Sequence, residues 1–178
     1  MMQLPDHITL FFLFILGASF GSFLNVVIHR VPEKMSLIKP ASHCESCKTP
    51  IKPYDNIPIL SYFILGGKCR NCGAPFSIRY AMIEALTAFM TLWLYFIYGI
   101  NKEFFMYIIL TYLAIVITFV DSDHSIFPKN FLLLGIAVMA FGITLGWLPI
   151  DYENGVSGGM ILTGFLLVIG LNRIFKSN

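Results

Sequence analysis

The sequence predicts an α-helical polytopic membrane protein with a small cysteine-bearing loop domain. Three observations support this fold class. Hydrophobic residues make up 57% of the chain and charged residues only 12%, whereas soluble domains average about a quarter charged, and mean hydropathy is +0.76. The apolar residues fall into long uncharged runs, and all four cysteines lie in one polar loop after the first run. The net charge of +2 gives no indication of nucleic-acid binding.

The apolar runs predict about five transmembrane helices, because a spanning helix needs about 20 residues with a range of about 17–25. The first and fourth runs are long enough alone, and the second becomes so when residues 80–84 join it. The third and fifth runs are shorter but adequate. The five runs cover residues 8–28, 85–100, 104–120, 130–150 and 155–172.

The positions of lysine and arginine predict the orientation, because basic residues concentrate on the cytosolic side of a membrane. The cysteine loop is therefore expected in the cytosol and the N-terminus outside. Alternation then places only Lys102 outside, with Lys129, Arg173 and Lys176 inside. No basic residue precedes the first apolar run, which favours an anchor over a cleavable signal peptide. The basic residues of the loop are Arg30, Lys34, Lys39, Lys48, Lys52, Lys68, Arg70 and Arg79.

The first helix carries small and polar residues that predict close helix packing. Gly17 and Gly21 would let a neighbouring helix approach closely, and Asn25 needs a hydrogen-bond partner inside the membrane. Asn25 and His29 lie four residues apart, on one helical face near the cytosolic end. This face would either line a site, with both as accessory residues, or leave His29 as an interfacial side chain.

The cysteine loop predicts a metal site. Cys44 and Cys47 form one Cys-x-x-Cys pair, and Cys69 and Cys72 form a second. Two such pairs complete a tetrahedral four-sulfur site for zinc, which leaves no open position for water and is typical of a structural role. The alternatives are two disulfides or four thiols without a special role. Disulfides are disfavoured because a cytosolic loop keeps its thiols reduced. His43 is a substitute ligand candidate.

The loop is expected to be a zinc-knuckle domain that needs metal to fold. Its six prolines exclude one long helix. About 50 residues are too few for a self-sufficient apolar core, so metal binding would supply folding free energy. No internal repeat was apparent in the sequence.

Three acids lie near the predicted membrane boundary. Glu84 is in the first turn of the second helix, where it complements the helix dipole. The alternative is that it pairs with a loop cation or takes part in chemistry. Asp121 directly follows the third apolar run, where an acid is costly unless it is paired or functional. Asp123 would lie about 200° from Asp121 on a helix. The two could not share a proton, and we expect Asp123 simply to end the helix in water.

In its motifs the sequence resembles the type IV prepilin peptidases, which serve type IV pilus and type II secretion systems. The matching motifs occur in the family's order and spacing and run from the first predicted helix to the end of the third. Besides the two cysteine pairs they are Gly21-Ser-Phe-Leu-Asn-Val-Val-Ile-His-Arg-Val-Pro32, Asn56-Ile-Pro-Ile-Leu-Ser-Tyr62, Gly67-Lys-Cys-Arg-Asn-Cys72, Arg79-Tyr-Ala-Met-Ile-Glu84 and Asp121-x6-Pro128.

The resemblance implies a membrane aspartic endopeptidase of the bacterial cytoplasmic (inner) membrane. Such enzymes cut the basic leader of a prepilin or pseudopilin after a glycine at the cytosolic face. Many then methylate the new N-terminus with S-adenosylmethionine, an activity tied to the cysteine loop. Asp121 matches the family's first catalytic aspartate. The domains implied are residues 1–29 as the first transmembrane helix, 30–79 as the cytosolic zinc-binding domain, and 80–178 as a truncated four-helix peptidase domain.

One family motif is missing. The second catalytic aspartate of the family lies in a Gly-x-Gly-Asp motif, and this sequence contains none. Asp151 and Glu153 are predicted on the opposite side of the membrane, and nothing in the sequence places Glu84 near Asp121. The chain ends about where the linker to that motif is expected. Either a second polypeptide would then supply the aspartate, or the chain would be a truncated product. The alternative is a catalytically incomplete zinc-stapled scaffold, or a leader-binding or methyltransferase remnant.

Overall fold

The computed structural model describes the backbone of residues 7–124 and 129–147 and the side chains of residues 7–120 and 130–147. Its described part is helical, with a short 3-10 turn at Pro53–Asp55 and only isolated β-bridges in place of strands. The helices are α1 (His7–Arg30), α2 (Leu60–Ile64), α3 (Arg79–Tyr98), α4 (Lys102–His124) and α5 (Lys129–Thr144).

Among the described residues, three helices are long and apolar enough to cross a membrane. They are α1, α3 and the Lys102–Val120 part of α4. Helix α5 is apolar but has only 16 residues. The predicted fifth helix at residues 155–172 lies outside the described residues, so the number five stays a prediction. The fold class, a helical membrane protein with a cysteine loop, is confirmed.

The chain divides into two compact units, Met1–Trp93 and Leu94–Asn178. The first contains α1, the cysteine loop, α2 and most of α3. The second contains the end of α3 with α4 and α5. The predicted boundaries at residues 29/30 and 79/80 stay a prediction.

In the first unit, α1 and α3 cross with almost no space between their backbones. A Cβ atom on Gly17 would lie 2.8 Å from Ala88 Cα, and one on Gly21 would lie 2.6 Å from Glu84 Cα. Only glycine fits such contacts, and small residues are what allow helices to pack closely in a membrane. The packing role predicted for these two glycines is therefore confirmed.

In the second unit, α4 packs against α5. Met106 and Tyr107 are buried among apolar side chains that include Leu110 and Val138. The rings of Tyr98 and Tyr107 stack with their centroids 4.6 Å apart. Helix α4 begins after Asn101, whose side-chain oxygen accepts a hydrogen bond from the Phe104 N–H at 2.9 Å and so caps the helix.

Candidate functional site

The four cysteines of the loop form one cluster. The Sγ atoms of Cys44, Cys47, Cys69 and Cys72 all lie within 4.8 Å of one another. Cys44 Sγ is 3.8 Å from Cys72 Sγ, and Cys47 Sγ is 4.0 Å from Cys69 Sγ. Four sulfurs each about 2.3 Å from one zinc ion lie about 3.8 Å apart in a tetrahedron. The cluster therefore has the dimensions of a four-thiolate metal site, and none of the four cysteines forms a disulfide.

Each Cys-x-x-Cys pair lies in a tight turn, here called a knuckle, and the two knuckles have equivalent hydrogen bonds. In the first, the Cys44 N–H donates to Thr49 O at 3.0 Å and the Lys48 N–H donates to Cys44 O at 2.8 Å. In the second, the Cys69 N–H donates to Ala74 O at 2.8 Å and the Gly73 N–H donates to Cys69 O at 2.9 Å. Each knuckle is closed by an isolated bridge, His43 to Pro50 and Lys68 to Pro75.

This equivalence corrects the sequence analysis, which found no internal repeat. Both knuckles read Cys-x-x-Cys-x-x-Pro, and the residue after each second cysteine has a positive φ, 57° at Lys48 and 73° at Gly73. The repeat was missed because its unit is shorter than the periods of repeat folds. The recurring proline after each pair was the available signal.

Local hydrogen bonds favour the thiolate form of two cysteines. The pKa of Cys47 is lowered to about 6, chiefly by hydrogen bonding to the Thr49 side chain, with Thr49 backbone and Asn71 contributions. The Asn71 side-chain amide also donates to Thr49 Oγ1 at 3.0 Å and so holds the hydroxyl in place. The pKa of Cys69 is lowered by the backbone N–H groups of Cys72 and Asn71. Thiolates are the form that binds metal.

The two histidines near the cluster have other partners. His43 is not part of the sulfur cluster, and its Nδ1 lies 3.0 Å from Ala41 O. His29, at the end of α1, pairs with Glu45 in the first knuckle, with Nε2 3.1 Å from Oε1. The structure therefore places His29 at the junction of α1 and the loop.

Two arginines form hydrogen bonds and an ion pair that connect separate segments of the loop. Arg30 donates from Nη1 to Ser36 O at 2.9 Å and from Nη2 to Pro40 O at 2.8 Å. Arg70, inside the second cysteine pair, binds both carboxylate oxygens of Asp55, with Nη2 2.6 Å from Oδ1. The Arg70 guanidinium lowers the pKa of Asp55 below its usual range.

Glu84 is buried in α3 and connects the membrane helices to the loop. Its Oε2 accepts a hydrogen bond from the Ile59 N–H at 2.7 Å, and the Ser22 side chain of α1 hydrogen-bonds the same carboxylate. Ile59 has φ 64° and ψ −56°, and the next N–H, of Leu60, donates back to Pro58 O at 2.6 Å. This is a γ-turn of the rare positive-φ form, which is strained for a β-branched residue.

The loop partner of Glu84 is a backbone N–H rather than the cation that was one of its predicted partners. Glu84 was expected to complement the helix dipole, to pair with a loop cation or to take part in chemistry, whereas its carboxylate accepts a hydrogen bond from a strained turn 25 residues earlier. Sequence carries no signal for that pairing beyond the acid's position inside an apolar helix.

Asn25 and His29 do not meet. Asn25 is buried, and its side-chain amide donates to the Tyr80 carbonyl at the start of α3 at 3.1 Å. His29 faces Glu45. The structure therefore gives Asn25 the partner that a polar side chain in a membrane helix requires.

Asp121 and Asp123 both belong to α4, which continues to His124. Asp121 directly follows the candidate span Lys102–Val120. Two positions on one helix differ by about 200° around its axis, so the two aspartates lie on opposite sides of α4. Their side chains, and the structure of Asp151 and Glu153, are outside the described residues.

Comparison with known proteins decides the family. A model of the bacterial peptidase A24 N-terminal domain matches residues 15–98, which include the cysteine loop. A Klebsiella pneumoniae protein named prepilin leader peptidase/N-methyltransferase is 33% identical over 172 residues, covering 93% of this chain and 74% of the relative. The chain belongs to the prepilin leader peptidase/N-methyltransferase family. The resemblance stated from the motifs is thereby confirmed.

Other members of the prepilin peptidase family match over similar stretches. A Dichelobacter nodosus relative is 30% identical over 204 residues, covering 97% of this chain and 69% of the relative. A Myxococcus xanthus relative is 40% identical over 157 residues, covering 87% of this chain and 45% of the relative. Both bear the name prepilin leader peptidase/N-methyltransferase. The chain thus spans about half to three-quarters of the length of these relatives. No solved structure matches the chain.

Proposed function

We propose that this chain supplies the first catalytic carboxylate of a prepilin leader peptidase. The substrate is the N-terminal leader of a type IV prepilin or pseudopilin. The observation that carries the proposal is family membership along most of the chain, with the Asp121-x6-Pro128 motif in place. Cleavage would occur at the cytosolic face of the bacterial inner membrane.

Asp121 is the residue that would act on the scissile bond. An aspartic peptidase needs two nearby carboxylates that share a proton, one acting as base on water and the other as acid to the carbonyl. Asp121 lies directly after a membrane-span candidate. A prepilin whose basic leader stays in the cytosol and whose apolar stem enters the membrane would present its cleavage site near this depth.

The cysteine cluster would hold a structural Zn²⁺. The sulfur spacing fits the metal, two of the thiols are biased towards thiolate, and four sulfur ligands leave no position for a reacting water. Zinc would supply folding free energy to the loop. The cysteines Cys44, Cys47, Cys69 and Cys72 would be its ligands.

N-methylation of the new N-terminus is the second activity that we propose. Its support is the name of the relatives, which are peptidase/N-methyltransferases. S-adenosylmethionine would be the methyl donor. The sequence has no glycine-rich dinucleotide-type loop, so the cofactor would bind by another arrangement. Titration calorimetry of the zinc-loaded chain in detergent tests this, and absence of binding would count against methyl transfer.

We propose that the second carboxylate comes from outside these 178 residues. No Gly-x-Gly-Asp motif occurs among them, and Asp123 lies on the opposite side of α4 from Asp121. We propose that a second polypeptide, or the remainder of a longer chain, supplies it. The same observation favours the second candidate function, a zinc-stapled membrane scaffold that binds leaders without cutting them.

An Asp121 substitution separates the two functions. The chain, reconstituted with a family member's Gly-x-Gly-Asp portion, is assayed for prepilin cleavage as Asp121→Asn and, as a matched control on the same helical turn, as Asp123→Asn. The peptidase proposal predicts loss of cleavage only for Asp121→Asn, because that carboxylate belongs to the proton-sharing pair. Equal cleavage by both variants would remove Asp121 from the mechanism and favour the scaffold.

A further inference from the structure

The segment from Asn56 to Gly67, here called the α2 insert, is the longest uncharged stretch of the cysteine loop. It lies between Asp55 and Lys68. Uncharged apolar stretches of about 10–14 residues are typical of buried core helices or of re-entrant and interfacial membrane segments. The α2 insert is not a buried core, because Leu60, Phe63 and Ile64 are 58%, 67% and 71% exposed.

These three side chains form one face. Positions i, i+3 and i+4 lie together on a helix, so Leu60, Phe63 and Ile64 project from the same side of α2. Ser61 lies on the other side, where it is buried and its hydroxyl accepts from the Ile57 N–H at 2.9 Å and donates to Tyr54 O. A short helix with one exposed apolar face needs an apolar surface to cover it.

The attachment point of the α2 insert sets its depth. Ile59 is tied to Glu84, which lies five residues into α3, about 8 Å along the axis. Helix α3 has 20 residues, so its length of about 30 Å matches the thickness of the hydrocarbon core. In a membrane-spanning α3, the hydrogen bond between Ile59 and Glu84, here called the tie, would therefore lie below the membrane surface.

Helix α1 likewise places this contact more than two turns from the end of a candidate membrane span. Gly21 packs on the Glu84 backbone and lies nine residues before the end of α1, about 13 Å along the axis. The first knuckle differs, because Glu45 contacts His29, one residue from the end of α1. The α2 insert is therefore held deeper than the first knuckle.

The backbone of the α2 insert is suited to a medium without water. The N–H groups of Ile57, Ile59 and Leu60 bond to Ser61 Oγ, Glu84 Oε2 and Pro58 O, respectively. The chain leaves through Gly66 and Gly67, whose N–H groups donate to Phe63 O and Tyr62 O. Irregular backbone is tolerated at membrane depth only when its polar groups are satisfied by protein.

We propose that the α2 insert is a re-entrant interfacial element, with Leu60, Phe63 and Ile64 in contact with the lipid acyl chains of the leaflet nearest the cysteine loop. Interfacial helices bury an apolar face about 5–10 Å below the headgroups, which agrees with the depth of the Glu84 tie. The bilayer is the occupant that the geometry favours, because α1 and α3 as membrane spans would hold the tie at this depth without any partner.

Tryptophan quenching by brominated lipids tests the proposal on the full chain in phospholipid vesicles. Trp93 and Trp147 are first changed to Phe, and one tryptophan is then introduced by Phe63→Trp. The matched control is Ser46→Trp, at an exposed position in the first knuckle. Zinc content and trypsin pattern verify that each variant is folded, and Ile64→Trp provides a second position on the same face.

The α2 insert predicts at least about twofold stronger quenching at 63 and 64 than at 46, with aqueous acrylamide giving the reverse order. Equal quenching at the three positions would overturn the proposal. So would a tryptophan at 63 that becomes shielded from acrylamide only when an apolar prepilin stem peptide is added, because the face would then belong to a protein partner.

Discussion

The cysteine loop and the crossing of α1 and α3 are stabilised in opposite ways. In residues 31–78, all of them described, the only buried hydrophobic residues are Cys44 and Cys69. The helix crossing instead buries a continuous apolar set joined by two glycine contacts. Its members are Leu24, Val27, Ile28, Ala81, Ile83 and Ala88. The core of the loop is thus its sulfur cluster, whereas the core of the crossing is ordinary side-chain packing.

This difference predicts which perturbations the cysteine loop and the helix crossing each tolerate. The loop should depend on its metal and tolerate surface changes, because a small domain without an apolar core needs a metal or similar staple. The crossing should be indifferent to metal and intolerant of added volume, because close-packed interfaces have no space for it. Glu84 and Arg30 connect the two regions, so their loss should affect the loop without unfolding the helices.

The largest effect is expected from Cys69→Ser, which removes a buried ligand of the proposed zinc site. Structural zinc contributes on the order of 10 kcal/mol to folding of small zinc domains. We expect bound zinc to fall from about one per chain to none, and amide exchange in residues 40–76 to become fast, while helical circular dichroism persists. Ser46→Ala, at an exposed position in the first knuckle, is the control. Slow exchange in the metal-free loop would contradict the comparison.

The next effect is expected from Gly21→Leu in the crossing. Any Cβ at this position meets Thr87 Oγ1 and lies 2.6 Å from Glu84 Cα. Overpacking costs typically about 1–3 kcal/mol, so the detergent concentration at which α1 and α3 separate should fall while zinc content stays unchanged. Gly135→Leu in α5 is the matched control, because a Cβ there meets nothing within 4 Å. Equal effects of the two changes would show that the glycine contact is unimportant.

Glu84→Gln perturbs the contact that joins the cysteine loop to the helix crossing. The Ile59 N–H then donates to a neutral amide oxygen in place of the carboxylate, and the bond weakens by about 1 kcal/mol, because hydrogen bonds to charged groups are stronger than neutral ones. We expect faster amide exchange at Ile59 and Leu60, with the helices and the zinc content preserved. Glu45→Gln is the control, because its pair with His29 is exposed and exposed pairs contribute little. Unchanged exchange at Ile59 would mean that the γ-turn is held by other contacts.

The smallest effect concerns pH. Because Arg70 lowers the pKa of Asp55 in the folded chain, this carboxylate stabilises the loop above its unfolded pKa of about 3.9. The contribution is lost as the pH falls through the lower folded pKa. Carbon-13 NMR titration of the full chain should give an Asp55 midpoint below 3.9. The midpoint should rise in Arg70→Gln and change less in Lys52→Gln, and identical midpoints would refute the role of Arg70.

Hydropathy predicted the long helices well, because a spanning helix must be apolar along its whole length. The run at 8–28 became α1 (His7–Arg30), and the run at 104–120 lies within α4 (Lys102–His124). The cysteine pairs likewise predicted the sulfur cluster, since their spacing reflects the geometry of the knuckle. These features are local, and local patterns are visible in sequence.

The contacts that position the loop were not predictable in the same way. The tie from Glu84 to Ile59 joins residues 25 apart and depends on a strained turn that no residue type signals. Helix α2 was missed because a single turn within a proline-rich loop shows no periodicity. The sequence predicted that Asn25 has a hydrogen-bond partner but not which one. The partner is the Tyr80 carbonyl, and a backbone acceptor cannot be recognised from residue types.

The most direct test of the central proposal is prepilin cleavage measured with zinc-loaded chain, first alone and then with a family member's portion that carries the Gly-x-Gly-Asp motif. The account predicts no cleavage by the chain alone and cleavage when both carboxylates are present, because the two acids must share a proton. Cleavage by the chain alone would contradict the account, since a second acid would then lie within these 178 residues. No cleavage in either case would contradict the peptidase function itself.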